Sequence, residues 1–409
     1  MRIFVSSGDQ KFGLKVNSLV VAGAAALLLV SPADAQTGSD VAVTATTAYD
    51  SNPFLAFGGD TEVASFRLEL APSVYRSDGI SSIKVSGRVE HVEYMRLYDS
   101  AQNLSANVSA SHRINERVDV AATVSISSSI STTDFSGPVG DGEQLGPDDL
   151  PLPIDNDITL LGDRQRRNSA AADASLRYTP SEFDEIRWSS SVRANRYGSA
   201  RLEDSDYASQ RIAYSRRINR GLLIGGLIDA SVSNFKDGRI GDAKTLSPQL
   251  SASAMLGSRL QASGSVGLSF TRTELATGRD SSTAITGNAS ICYKGSLSNF
   301  CLNGQRQVLP SAIGGVRKQT SIGTTYSLRL SERETVQFGG NYSTASAPLT
   351  GVGGDFESIR SYARYERLLS ERTRLFASAG YSDTSDDLGI RRSNFQGAIG
   401  ITFKFGSMQ

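Results

Sequence analysis

Polar and apolar residues alternate one for one along most of the chain after residue 36. The final stretch, FQGAIGITFKF from Phe395 to Phe405, shows the pattern most plainly. Phe395, Gly397, Ile399, Ile401, Phe403 and Phe405 share one face, and Gln396, Ala398, Gly400, Thr402 and Lys404 share the other. A period of two is that of a β-strand with one face in an apolar medium and one in a polar medium. Segments of the same kind run over Val41–Tyr49, Glu62–Tyr75, Ile80–Tyr98, Asn103–Ile114, Arg117–Thr132, Asn168–Tyr178, Glu185–Tyr197, Tyr207–Ile218 and Gly221–Phe235. They continue over Thr245–Leu256, Leu260–Thr273, Ser282–Tyr293, Asn299–Val308, Ser321–Leu330, Glu334–Ser343, Phe356–Leu368, Arg372–Tyr381 and Asn394–Phe405. About eighteen strands are therefore expected, and no stretch of the mature chain carries a helical period.

The connections carry a second pattern. Short turns follow the even-numbered strands, as at Asn115-Glu116, Asn219-Arg220, Gly257-Ser258, Ser331-Glu332 and Ser370-Glu371. Odd-numbered strands end mostly in long loops, as at Ser51–Asp60, Lys236–Lys244, Ala345–Asp355 and Ser382–Ser393; the third strand, followed only by Asp99–Gln102, is the exception. A transmembrane barrel has this parity, with short periplasmic turns and long extracellular loops. A Greek-key sandwich does not keep it, because its connections cross between sheets, and no propeller repeat is present. Closure also removes the two unpaired edges that an open sheet would expose. The predicted fold is an all-β, antiparallel up-and-down transmembrane barrel of about 18 strands, too wide for its own side chains to fill.

Composition narrows the location. The N-terminus has Arg2, Lys11 and Lys15, then the apolar run Ser18–Val30, then Pro32 and the small-residue cleavage pattern Ala33-Asp34-Ala35. This is the layout of a secretory signal peptide over residues 1–35, leaving 36–409 as the barrel. No other run is long and apolar enough for a membrane helix. The formal net charge of zero argues against a nucleic-acid partner. Export and barrel patterning together predict the outer membrane of a Gram-negative cell, with its lipid and lipopolysaccharide as surroundings.

Alternation also assigns faces. On the eleventh strand Leu260, Ala262, Gly264, Val266, Leu268 and Phe270 should face lipid; on the third, Ile83, Val85 and Val89; on the seventh, Ile186, Trp188 and Val192. The predicted lumen-lining bases are Arg67, Lys84, Arg88, Arg187, Arg193, Arg211, Arg360 and Arg364, set against Glu69, Glu90 and Glu366. Tyr75, Tyr98, Tyr178, Tyr197, Tyr293 and Tyr381 fall near strand ends, as interfacial girdles do.

The longest loop, Phe135–Gln165, is acidic, with Asp141, Glu143, Asp148 and Asp149 among its residues. It either folds into the lumen opposite the basic wall or lies solvated outside, and its prolines and glycines fit the second course. Its acids lack the ligand spacing of a known calcium loop, and no metal or cofactor is expected. Cys292 and Cys301 flank a turn at Ser296-Leu297, a register that places them directly opposite one another; in an oxidising compartment a cross-strand disulfide near the periplasmic rim is expected, with two buried thiols as the alternative. His91 and His112 are the only histidines, and neither lies in a segment that pairs with a serine and a carboxylate, so no hydrolase is expected.

Two resemblances bear on function. Phe395–Phe405 resembles the terminal strand by which outer-membrane barrels address the barrel-insertion machinery, although four residues follow Phe405. Asp50-Ser51-Asn52-Pro53-Phe54, followed by barrel strands with short RIN- and SER-type turns, resembles the β-barrel porin 2 group of outer-membrane proteins. Members of that group accompany exopolysaccharide synthesis and export, so the resemblance implies a barrel and, more distantly, a polysaccharide partner. The long acidic loop is similar in position to the constriction loop of general diffusion porins. The expected function is a passive channel for small anionic or sugar-like solutes; the alternatives are an exopolysaccharide export conduit and a non-conducting structural or adhesive barrel.

Overall fold

A computed structural model describes residues 36–56, 58–130, 164–199, 202–236, 241–275, 278–313, 315–346, 354–387 and 389–406. Residues 1–35, where the sequence predicts a signal peptide, lie outside them. The described residues form eighteen strands and no helix. In order these are β1 (Gln36–Asp50), β2 (Val63–Ser77), β3 (Ser81–Tyr94), β4 (Ala101–Asn115), β5 (Val118–Ile130), β6 (Arg166–Tyr178), β7 (Asp184–Tyr197), β8 (Ser205–Asn219) and β9 (Leu222–Phe235). Then come β10 (Ala243–Leu256), β11 (Leu260–Leu275), β12 (Gly278–Lys294), β13 (Ser298–Pro310), β14 (Val316–Ser331), β15 (Glu334–Ala345), β16 (Phe356–Ser370), β17 (Thr373–Asp386) and β18 (Arg391–Gly406). Each strand pairs antiparallel with its sequence neighbours, and β1 pairs with β18, from Asp40 opposite Gly406 to Asp50 opposite Gln396. The sheet is a closed up-and-down barrel of 18 strands.

Eighteen strands spaced ~4.8 Å apart and tilted ~40° make a backbone cylinder roughly 35 Å across, which leaves a lumen. The outer face is apolar in the way the alternation predicts. Leu250 is 73% exposed, Ile399 64%, Ile285 63% and Val266 61%, with Leu268 and Phe270 beside them. A continuous belt of such residues belongs against hydrocarbon rather than water. Their chain neighbours, Ser269, Thr271 and Thr286, point inward and are buried in the wall.

The strands run further toward the long-loop end than their hydrophobic pattern does. The connection after β11, expected over residues 274–281, shrinks to residues 276–277, because Thr273 to Leu275 pair with Asp280 to Gly278. Beyond the belt, backbone pairing alone continues the ladder, so polarity does not mark where the strand stops. The tyrosines divide differently from the girdle expectation. Tyr178, Tyr293 and Tyr381 face outward, but Tyr75 pairs with Gly38 on the lumen face, and Tyr98 and Tyr197 pack inside the long-loop mouth. An aromatic ring laid over a glycine of the next strand fills the missing side chain, and Tyr75 over Gly38, Tyr362 over Gly339 and Phe376 over Gly400 all do this.

Candidate functional site: the lumen and its mouth

The lumen wall holds three groups of charge. On β2 and β3, Arg67 Nε lies 2.8 Å from Glu90 Oε1 and Arg88 Nη2 lies 2.7 Å from Glu69 Oε2. A weaker link joins Arg88 to Glu90 at 3.8 Å, and Asn103 of β4 donates to Glu90 at 3.0 Å. The register creates this group: Glu69 stands opposite Glu90, and arginines flank the pair on both strands. Two like charges directly opposed would destabilise the sheet, and the two guanidinium groups cancel them. Lys84 also points inward, nearer the short-turn end, opposite Tyr75 and Ser109, with no ion-pair partner among the described residues.

The second group lies on β6 to β9. Glu185 accepts from Arg177 at 2.8 Å and from Arg187 at 2.9 Å. Asp229 takes both Nε and Nη2 of Arg211, at 2.9 and 2.7 Å. Arg193 points inward between Ala171 and Tyr207.

The third group lies on β16 and β17. Gly400 leaves room for Phe376 to lie flat in the wall, 1% exposed; a Cβ at residue 400 would sit 2.3 Å from that ring. The Arg364 guanidinium rests on the ring face 4.2 Å from its centroid, and its Nε meets Glu366 Oε1 at 2.7 Å. Arg374 reaches the same carboxylate at 3.4 Å. Arg360, two inward positions from Arg364 toward the long-loop end of β16, stands opposite Asn341 and Ser382 and has no carboxylate partner among the described residues. Cation–π contact holds a guanidinium without neutralising it, at about 0.5–2 kcal/mol. Within the span this wall sets three arginines around one carboxylate, whereas the unmatched base of the β2–β3 wall is Lys84, nearer the short-turn end.

By strand parity the eight predicted bases stand on the face away from the apolar belt, and carboxylates meet several of them. Arg67 and Arg88 are neutralised by Glu69 and Glu90, Arg187 shares Glu185, and Arg211 is matched by Asp229. Glu185 and Asp229 sit on the inward parity of their own strands, so alternation alone could have found them. The acidic residues Asp141, Glu143, Asp148 and Asp149 lie outside the described residues.

Among the described residues the mouth is narrowed by the first loop, whose Asp50–Phe54 motif had no assigned task. Asn394 of β18 donates to Asp50 at 3.0 Å and accepts from the Asn52 backbone N–H at 2.7 Å. Ser51 is tied to the Phe395 backbone by two bonds, from Ser51 N–H to Phe395 O at 2.9 Å and from Phe395 N–H to the Ser51 side-chain Oγ at 2.8 Å. The Asn52 side chain clasps Ala56 with both its oxygen and its nitrogen. From this latch two side chains diverge. Phe54 packs with Val63, Val92, Tyr94, Ala101 and Tyr98 on the β2–β4 side, with Arg164 over its ring at 5.2 Å. Leu55 packs against Ala345 and Phe356 on the β15–β16 side. Leu55 has φ 51°, a left-handed backbone that costs a non-glycine residue about 1–2 kcal/mol. Its complete burial, 0% exposed, returns about 1.5–3 kcal/mol, enough to hold the turn. On another side of the mouth, Leu202 of the β7–β8 connection packs on Ala312 of the β13–β14 connection, and Glu203 N–H donates to Ala312 O at 2.6 Å.

Two features lie at the short-turn end. Cys292 and Cys301 are directly opposed on β12 and β13, with Cα atoms 4.1 Å apart, and the structure joins them in a disulfide beside the turn that Gly295 N–H closes onto Ser298 O. His112 is brought to Ser81, with Nδ1 2.8 Å from Oγ, a neighbour that sequence reasoning did not find because it depends on the β3–β4 register. Among the described residues no carboxylate is hydrogen-bonded to the other ring nitrogen, so the pair lacks the orienting group that activates a serine. The described residues contain no cluster of metal-ligating side chains.

No protein-family model matches the chain and no curated protein matches it; the exopolysaccharide-associated group resembled by Asp50–Phe54 gains no support there. Among solved structures, the chain is similar to OccK2 (OpdF) of Pseudomonas aeruginosa, at 12% identity over 91% of this chain and 99% of that one, with a TM-score of 0.49. It is similar to the same protein in complex with glucuronate, at 11% identity over 91% and 99%, with a TM-score of 0.47, and to Pseudomonas aeruginosa OprD, at 11% identity over 93% and 100%, with a TM-score of 0.45.

Proposed function

We propose that this chain is an outer-membrane channel through which small anionic or sugar-like solutes diffuse passively. The observation that carries the reading is the closed barrel of 18 strands, apolar outside and polar inside, with the inward arginines Arg360, Arg364 and Arg374 set around the single carboxylate Glu366 within the span. A hydrated lumen with one positive wall attracts anions and leaves neutral polyols free to pass. The inward-folded first loop sets the width at the mouth. Localisation follows from the apolar belt together with the signal-peptide pattern of residues 1–35. The test is single-channel recording of folded, mature protein in a planar bilayer. Discrete conductance steps with anion preference are expected. Silence from protein that migrates as folded on a heat-modifiability gel would overturn the channel reading.

A second reading, a non-conducting barrel, is favoured by the two inward contacts at the mouth, Leu55 on Ala345 and Leu202 on Ala312. The same recording decides between them. Export of an anionic polysaccharide rests on the Asp50–Phe54 resemblance alone and would need the polymer itself to block the channel.

A further inference from the structure

The outer rim at the long-loop end is electrically lopsided. On the outward face of β15 to β18 and β1 to β3 the carboxylates are engaged by their own chain. Tyr49 donates to Glu62, His91 meets Glu93 at 3.4 Å, and Tyr342 donates to Glu357 at 3.4 Å. Asp383 takes Tyr381 and Arg391 at 2.7 and 2.6 Å. On β7 to β9 the outward bases are matched as well, Arg196 by Asp204 and Asp206 and Lys236 by Asp206.

β10 to β14 differ. Lys244 of β10 stands directly opposite Arg272 of β11, one outward step beyond the lipid-facing pair Leu246 and Phe270. Arg306 of β13 and Lys318 of β14 follow round the barrel on the same face, near Val308 and Thr320. None of these four side chains has an ion-pair or hydrogen-bond partner among the described residues; the carboxylates nearby are Asp242 and Glu274, one outward step further from the belt, with Glu274 opposite Arg279. Like charges directly opposed across a strand pair destabilise the sheet. One such pair, with Arg306 and Lys318 set diagonally on the next hairpin, borders the apolar belt and matches an amphiphile that carries anionic groups just above its acyl chains.

We propose that the outward face of β10 to β14 binds the phosphate groups of an outer-leaflet phosphorylated glycolipid. Lys244 and Arg272 share one phosphate, and Arg306 and Lys318 hold a second. The acyl chains lie on Leu246, Leu250, Val266, Phe270 and Ile285 below. The belt beneath the charges is what favours a lipid over free phosphate. Arginine grips phosphate with two parallel N–H bonds, and the long stems of both residue types let the charged heads rise to the headgroup level. The proposal rests on the outer-membrane reading given above.

The test uses the full mature protein in detergent, with binding read by native mass spectrometry. The probes are purified lipopolysaccharide, the same glycolipid after enzymatic dephosphorylation, and phosphatidylglycerol. Wild type should retain lipopolysaccharide and release the dephosphorylated form. Lys244→Gln with Arg272→Gln should weaken retention on the order of twentyfold, since each basic group at an anionic surface contributes roughly a factor of five. Glu62→Gln with Glu357→Gln, on the opposite arc, should change nothing. Should the first double variant lose heat-modifiable migration, Arg306→Gln with Lys318→Gln supplies the same comparison from other strands. Equal retention by folded basic-arc variants, or equal binding of the dephosphorylated glycolipid or of phosphatidylglycerol, would overturn the site. Cell fractionation separates the two failures: a chain found in the outer membrane with unchanged lipid binding overturns this inference alone, whereas a chain absent from it overturns the membrane reading and this site with it.

Discussion

Two walls of one lumen carry arginines at the same alternating positions and end with different charge. On β2 and β3, Arg67 and Arg88 are spent on Glu69 and Glu90. On β16 and β17, Arg360, Arg364 and Arg374 face Glu366 within the span, with Asp386 only at the long-loop end. The first wall is a cross-strand lock whose unmatched base, Lys84, lies near the short turns; the second holds three arginines around one carboxylate within the span. The composition of one strand does not distinguish them. What does is whether the register sets a carboxylate beside each guanidinium, or a ring such as Phe376, which holds the charge without cancelling it.

The largest expected effect comes from breaking the lock. Arg67 and Glu90 are less than a tenth exposed in their side chains, and removing one partner of a buried pair costs about 3–5 kcal/mol. Glu90→Ala should therefore lower the urea midpoint of unfolding from lipid vesicles by that order and, in whatever barrel still folds, raise anion preference by leaving Arg67 unmatched. Next is the loop that joins the walls. Phe54→Ala removes the ring packed on Val92 and Tyr94 beside the lock, at a local cost of about 3 kcal/mol. The loop should then leave the mouth, and single-channel conductance should rise. A smaller change sharpens the second wall without removing any charge. Gly400→Ala forces Phe376 away from a Cβ 2.3 Å distant, an overpacking cost of about 1–3 kcal/mol; displacing the seat of Arg364 should weaken anion preference although every arginine remains.

The smallest effect is a pH dependence outside the span. The backbone N–H groups of Ser81, at 2.5 Å, and Ile80, at 2.9 Å, hold the Asp78 carboxyl below the usual carboxylate range. A lowered folded pKa contributes stability that is present above the ordinary value near ~3.9 and is lost as pH falls through the folded value. Wild type should lose slightly more thermal stability than Asp78→Asn on acidification below about pH 4, read from the unfolding temperature of the heat-modifiable band.

The barrel was legible in the sequence because a strand between lipid and water must alternate, and every strand does. The eighteen segments and their faces needed only that rule. Strand ends were less legible: Thr273 to Leu275 and Gly278 to Asp280 continue the ladder on backbone pairing, past the point where polarity carries any signal. Charge balance was half legible. The inward parity of Glu185 and Asp229 stands in the sequence, but their bonds to Arg187 and Arg211 depend on side-chain reach and register. Loop infolding was not legible at all. Asp50, Ser51 and Asn52 read as a family signature, and their work became visible only when closure brought Asn394 beside them. His112 and Ser81 met for the same reason.

The most direct test of the two-wall account is the reversal potential of single channels in a salt gradient, compared between Arg360→Ala and Arg88→Ala. Arg360 has no carboxylate partner among the described residues, whereas Arg88 is bonded to Glu69. The account predicts that Arg360→Ala cuts the anion-over-cation permeability ratio several-fold, on the order expected when a charge at a narrow pore wall is lost. Arg88→Ala should destabilise the barrel and move that ratio less. A larger selectivity loss from Arg88→Ala than from Arg360→Ala would contradict the claim that register assigns the field to β16 and β17.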